Sequence, residues 1–238
     1  MRPDQSPFEQ SHNSSPFNDL PPVVVVLALA MLAVEIVLAL AEAGMIGGPA
    51  GIGWRQQAFA DYSLWKPVMM PALQAGVYPA DVLWRFVTYP FLHGGFAEML
   101  FPVVILLAVG KFVGEAYSGA SLLMTWLCAS IGAGLVFLAV QPVNSMIPLA
   151  GGMPGAYGLI GALTFLLWQQ ARWLGETPVK AFRLIGLLTG FQLLILLVFG
   201  GSWTHALAEL AAFAIGFGLG FVLAPGRWQM LLAKLRGR

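Results

Sequence analysis

Apolar residues in this chain gather into long runs separated by short polar breaks. The runs cover 22–43, 86–109, 120–140, 153–173, 184–199 and 203–223. Each approaches the roughly 20 residues an α-helix needs to cross the hydrocarbon of a bilayer, so the pattern predicts six spans. Gly200, Gly201 and Ser202 alone separate the last two runs, which makes those helices antiparallel neighbours. Residues 1–21 are polar, broken by prolines and without apolar period, and read as a mobile tail. The run that follows is too long for a cleaved signal peptide and lacks a small-residue cleavage site. Between the first two runs, residues 45–84 mix glycine and proline with Trp54, Tyr62, Trp65, Tyr78 and Trp84, a composition suited to the membrane interface. After Pro225, Trp228, Leu231, Leu232 and Leu235 are interleaved with Arg227, Lys234, Arg236 and Arg238, which predicts a short basic helix resting on an anionic membrane face. The organisation is thus a tail over 1–21, a membrane domain over 22–223 and a basic tail over 224–238.

Composition agrees with this pattern. With 58% hydrophobic and 10% charged residues, the chain is expected to be an all-α, polytopic membrane protein. No internal repeat suggests a duplicated transporter. Cys128 is the single cysteine, which excludes an intrachain disulfide, and a net charge of +1 gives no reason to expect nucleic acid. Lysine and arginine set the orientation. With the N-terminus inside, Arg2, Lys111, Arg172, Lys180, Arg183, Arg227, Lys234, Arg236 and Arg238 face the cytoplasm, against Arg55, Lys66 and Arg85 outside. Both termini are then cytoplasmic.

The chain is organised around residues 151–162, GGMPGAYGLIGA, where glycines crowd the outer start of the fourth span. Gly155, Gly158 and Ala162 recur at steps of three and four, so another backbone can approach closely. Ala208, Ala212, Gly216 and Gly220 form a matching ladder on the sixth span, the expected partner. Tight packing alone explains these glycines; a buried site beside them is the second reading. Ionisable groups at membrane depth are costly and mark candidates: Glu35, His93, Glu98, His205 and Glu209. Glu35, alone in an apolar helix, reads as an acid kept neutral by desolvation. His205 and Glu209, four apart, can share a face and bond each other or backbone carbonyls.

Three stretches together resemble the rhomboid family of intramembrane serine proteases. Trp84-Arg85-Phe86 leading to His93-Gly94-Gly95-Phe96 is similar to the family's Trp-Arg motif. Glu115 with Gly119 is similar to the acid and glycine after the second helix, although the glycine before the acid stands one place early, at Gly110. The glycine-rich fourth helix and the small-residue sixth helix complete the set. The resemblance implies a serine at the head of the fourth helix, activated by a histidine on the sixth. Counting back from Tyr157 and Gly161, the serine position holds Met153 and the following glycine is Pro154; a slip of one makes Pro154 itself the candidate. Neither side chain is a nucleophile. The histidine position falls on Glu209, from the fit of Ala212, Phe213 and Gly216, or on His205 one turn earlier. The oxyanion donors expected after His93 are Glu98 and Pro102, a repelling carboxylate and a residue with no donor.

The resemblance therefore implies a rhomboid scaffold without its reaction: a pseudoprotease that binds transmembrane helices of partner proteins as chaperone, adaptor or subunit of a membrane complex, multi-pass in a plasma membrane such as a bacterial inner membrane. No cofactor or resident metal is implied, and the expected partners are the bilayer and other transmembrane segments. Two alternatives come from other classes. Glu98 and Glu209, with His93 and His205, can share a proton or hold zinc or manganese. Residual proteolysis can run through another serine, Ser145 or Ser130.

Overall fold

The computed structural model describes residues 20–199 and 202–223. Residues 1–19 of the tail expected over 1–21, the basic helix after residue 223 and the Gly200-Gly201 turn lie outside the described residues. Eleven α-helices are present among the described residues: α1 (Pro22–Glu42), α2 (Gly48–Gly51), α3 (Trp54–Tyr62), α4 (Lys66–Gln74), α5 (Ala80–Leu83), α6 (Arg85–Thr88), α7 (Phe96–Ala116), α8 (Gly119–Val140), α9 (Met153–Trp173), α10 (Arg183–Phe199) and α11 (Trp203–Leu223). Short 3-10 turns at Tyr89–Phe91 and Pro178–Phe182 precede α7 and α10.

The second long helix begins ten residues later than the apolar run predicts, at Phe96 rather than 86. Pro90 restricts Tyr89 and cannot continue the ladder of α6, and Leu92 opens into extended backbone before the Gly94-Gly95 pair. The segment 85–95 is consequently a set of tight turns, and the true span extends to Ala116. The other long helices lie within a residue of their apolar runs.

Apolar side chains cover both faces of the outer helices. On α1, Val24, Leu27, Ala28, Met31 and Leu38 are buried while Val26, Leu29, Ile36 and Val37 are exposed. Water would penalise that exposed face, whereas lipid would not. Among the described residues α1, α7, α8 and α11 are long and apolar enough to cross a membrane. α10 is shorter, at 17 residues, and α9 carries glycines, Gln169 and Gln170. α9 tolerates them because protein rather than lipid surrounds it: residues 154–162 are buried without interruption.

α9 is the axis of the bundle, packed against α7, α8 and α11, and α1 packs chiefly on α7. Its glycines serve two neighbours. A methyl on Gly155 would meet the Trp126 indole and one on Gly158 would lie 2.2 Å from Cβ of Ala129, both on α8. Gly161 instead faces the α11 backbone at Phe213 and Phe217. From the other side, Ala208, Ala212, Gly216 and Gly220 of α11 are all buried, as their spacing predicts. At the opposite end from Met153, Phe165 and Trp168 of α9 interleave with Phe217 and Phe221 of α11, ring centres 4.7–6.1 Å apart.

Candidate functional site at the head of α9

The head of α9 is fixed by its backbone. Leu64 and Leu149 exchange both backbone hydrogen bonds, at 3.0 and 2.9 Å, joining the chain after α3 to the chain before α9. Gly151 N–H then donates to the Tyr89 carbonyl at 2.9 Å, and Gly151 has φ +96, a conformation that favours glycine. Gly152 N–H donates to Nε2 of buried His93 at 3.2 Å. Because Nε2 accepts, the ring proton sits on Nδ1, which is buried without a hydrogen-bond partner among the described residues. Burial pushes the His93 imidazole down to about 4, against the raising influence of the Glu35 carboxylate and the Phe91 carbonyl, so the ring is a neutral acceptor at pH 7.

Arg55 locks this arrangement to α1. Its Nη1 and Nη2 donate to the two Glu35 oxygens at 2.9 Å each, its Nε donates to Glu42 at 3.0 Å, and Nη1 also donates to the His93 carbonyl at 2.6 Å. Hydrogen bonding to Glu35 holds the guanidinium above its ordinary range despite its burial. The expectation of a lone, neutral Glu35 is thereby corrected: Glu35 is half of a bidentate ion pair. Arg85, from the Trp-Arg stretch, has a comparable duty. It donates to the carbonyls of Ala60 and Ser63 at 2.8 and 3.0 Å, closing the C-terminal end of α3. Beside these anchors a cleft of about 380 Å³ is lined by Arg55, Phe59, Trp65, Gly94, Met146 and Pro148.

The positions singled out for chemistry do not converge. Met153 is half-buried and Pro154 buried in the first turn of α9. Space in front of Gly152 is filled by Met31 and Pro102, an apolar lining. Glu98 is exposed and accepts from Gly94 N–H at 2.9 Å, capping the start of α7 in the manner of an acid at the third helical position. Glu209 is buried on α11 and accepts from Gln192 Nε2 on α10, while the Gln192 carbonyl oxygen accepts from the Tyr157 hydroxyl of α9 at 3.2 Å. Glu98 and Glu209 therefore bond different partners. His205 does not bond Glu209; its Nε2 faces the Pro148 carbonyl at 3.3 Å and its ring stands edge-on to Phe137 at 5.1 Å. Ser130 donates to the Trp126 carbonyl, and Ser145 Oγ accepts from Gln141 and from Ile147 N–H. No group of three His, Cys, Asp or Glu side chains gathers as metal ligands among the described residues.

Sequence reasoning missed Gln192 and the partnership of Arg55. Gln192 is an uncharged residue in an apolar run, where charge gives no signal; a lone amide in a span was the available one.

A model of the Rhomboid domain family matches residues 80–226, more than half of the chain and all of α5 through α11. The chain belongs to the rhomboid family, and it is a multi-pass membrane protein. None of the curated proteins compared with it matches.

Proposed function

We propose that this rhomboid-family chain does not cleave peptide bonds and instead holds transmembrane segments of partner proteins, as a chaperone, an adaptor or a subunit of a membrane complex. One observation carries the reading: at the head of α9, where serine chemistry needs a hydroxyl, stand a thioether and a pyrrolidine, Met153 and Pro154. The surroundings support it. His93 spends its only acceptor nitrogen on Gly152, Pro102 offers no donor, and Glu209 is tied to Gln192. Glu209 is linked through Gln192 to Tyr157, the residue that set the register, which favours Glu209 over His205 for the family's histidine position.

In this reading six helices, α1 and α7 through α11, cross a plasma membrane such as a bacterial inner membrane, with both termini cytoplasmic. Lys111, Arg172, Lys180 and Arg183 make no ion pair among the described residues, in keeping with the headgroup-facing side of that orientation.

The test is proteolysis in liposomes with a generic transmembrane substrate. The parent is compared with a version carrying Met153→Ser, Pro154→Gly, Glu209→His, Glu98→His and Pro102→Asn. A silent parent and a cutting restored version agree with the proposal; cleavage by the parent overturns it.

A further inference from the structure

Two carboxyl side chains are buried among the described residues, and they are treated unequally. Glu35 has a cation, bound through both oxygens. Glu209 has none. Its one partner among the described residues is the neutral amide of Gln192, which reaches one oxygen only and leaves Oε1 without a hydrogen bond. Glu209 lies six residues into α11, about 9 Å along the helix from its start. A carboxyl at such depth is costly and is stabilised most by a positive charge delivered within hydrogen-bond reach.

The amide that occupies the site arrives on the least embedded of the long helices. α10 makes its main contacts with the Pro178–Phe182 turn and α11. Leu187, Phe191, Leu194, Leu197 and Val198 project from it, 55–84% exposed. Gln192 is its one polar tie to the bundle among the described residues, spanning α10 to α9 through Tyr157 and to α11 through Glu209. An amide is a replaceable partner for an acid, since an ammonium or guanidinium makes the stronger, charge-assisted bond.

We infer that Glu209, with the Tyr157 hydroxyl beside it, is a recognition site for a partner transmembrane helix that carries a lysine or arginine within its apolar span, and that Gln192 holds the site when no such helix is bound. This rests on the helix-binding function proposed above and specifies its ligand chemistry. A span with a buried cation is unstable alone in lipid, and a membrane-depth carboxyl is the complement that stabilises it. Discrimination follows from the same physics: an all-apolar helix gains nothing at Glu209, and an acidic one is repelled.

The experiment uses the full chain in liposomes and a dansyl-labelled synthetic helix of leucine and alanine with uncharged ends. A lysine stands at its seventh residue, and leucine replaces it in the control. Energy transfer from the protein's tryptophans reports association. Charge-assisted bonding predicts that the lysine helix binds about ten-fold tighter than the leucine helix. Glu209→Gln, which keeps shape and an acceptor, abolishes the difference. Gln192→Leu, which removes the competing amide, raises affinity for the lysine helix several-fold, and this variant keeps Glu209 itself in place should Glu209→Gln fail to fold. Equal binding of both helices, or a preference that survives Glu209→Gln, overturns the lysine site and leaves helix binding standing. If neither helix binds, both the site and the proposed function fall.

Discussion

Gly216 of α11 and Gly158 of α9 meet backbone to backbone: a methyl on Gly216 would sit 1.8 Å from the Gly158 carbonyl oxygen. A helix carbonyl is committed to its own ladder and cannot retreat. Gly216→Val is therefore expected to push α11 off α9 and cost at least about 3 kcal/mol. Gly218→Ala, with nothing within 4 Å of the added methyl, is expected to be neutral or stabilising by about 0.5–1 kcal/mol. Thermal melts of the two variants in nanodiscs check this pair; similar melts would refute the close crossing.

The Arg55 clamp predicts a hierarchy. Glu35→Gln removes the buried, bidentate partner of the guanidinium and leaves it only the partly exposed carboxylate of Glu42, and is expected to cost about 3–5 kcal/mol. Glu42→Gln removes a partner whose side chain is 43% exposed and is expected to cost less than about 1 kcal/mol. Arg55→Lys does not restore the parent, since an ammonium cannot span both Glu35 oxygens. Denaturation midpoints in matched detergent order the three variants, and a Glu42 effect as large as that of Glu35 would contradict the geometry.

His93 predicts a pH dependence. Its folded value, about 4, lies below the roughly 6.5 of an unfolded histidine, so the unfolded chain binds more protons between those limits. Stability is full above the upper limit and falls as pH drops toward the lower one, by on the order of 3 kcal/mol. Protonation also converts Nε2 into a donor facing the Gly152 N–H. Melting temperatures from pH 8 to pH 5, with and without His93→Gln, isolate this contribution: the variant should show the flatter profile.

Arg85 predicts a local effect. Removing its bonds to the carbonyls of Ala60 and Ser63 by Arg85→Gln frees the end of α3 while the central helices keep their packing. Limited proteolysis should cut within residues 45–84 several-fold faster than in the parent, with little change in helical signal. An unchanged cleavage rate would mean that the segment is held by other contacts.

Much of the fold was legible because lipid imposes long apolar runs: α8, α9 and α11 begin and end within a residue of them, and the Ala208 to Gly220 ladder pointed to α9. The head of α7 was not, since Phe86 to Leu92 is apolar enough to read as helix, and only Pro90 with Gly94 and Gly95 signals the turns. At the site, counting put Met153 and Pro154 at the start of the fourth span, where α9 begins. The ion pair of Arg55 with Glu35 could not be placed that way, because residues 44–53 between the first apolar run and α3 hold no periodic pattern that fixes how the chain returns. The Leu64 to Leu149 bridge joins residues 85 apart and leaves no local trace at all.

Among the described residues, the three cations at the α9-head end are all hydrogen-bonded within the protein. Arg55 is spent on Glu35 and Glu42, Lys66 on the Gln141 carbonyl, and Arg85 on carbonyls of α3. Asp61, Asp81 and Glu98, by contrast, are exposed there. Glu35, Glu42, Asp61, Asp81 and Glu98 thus outnumber Arg55, Lys66 and Arg85 at that end among the described residues, which leaves it a net negative formal charge. In the helix-binding function proposed above, that charge favours partners with basic segments flanking their span over acidic ones.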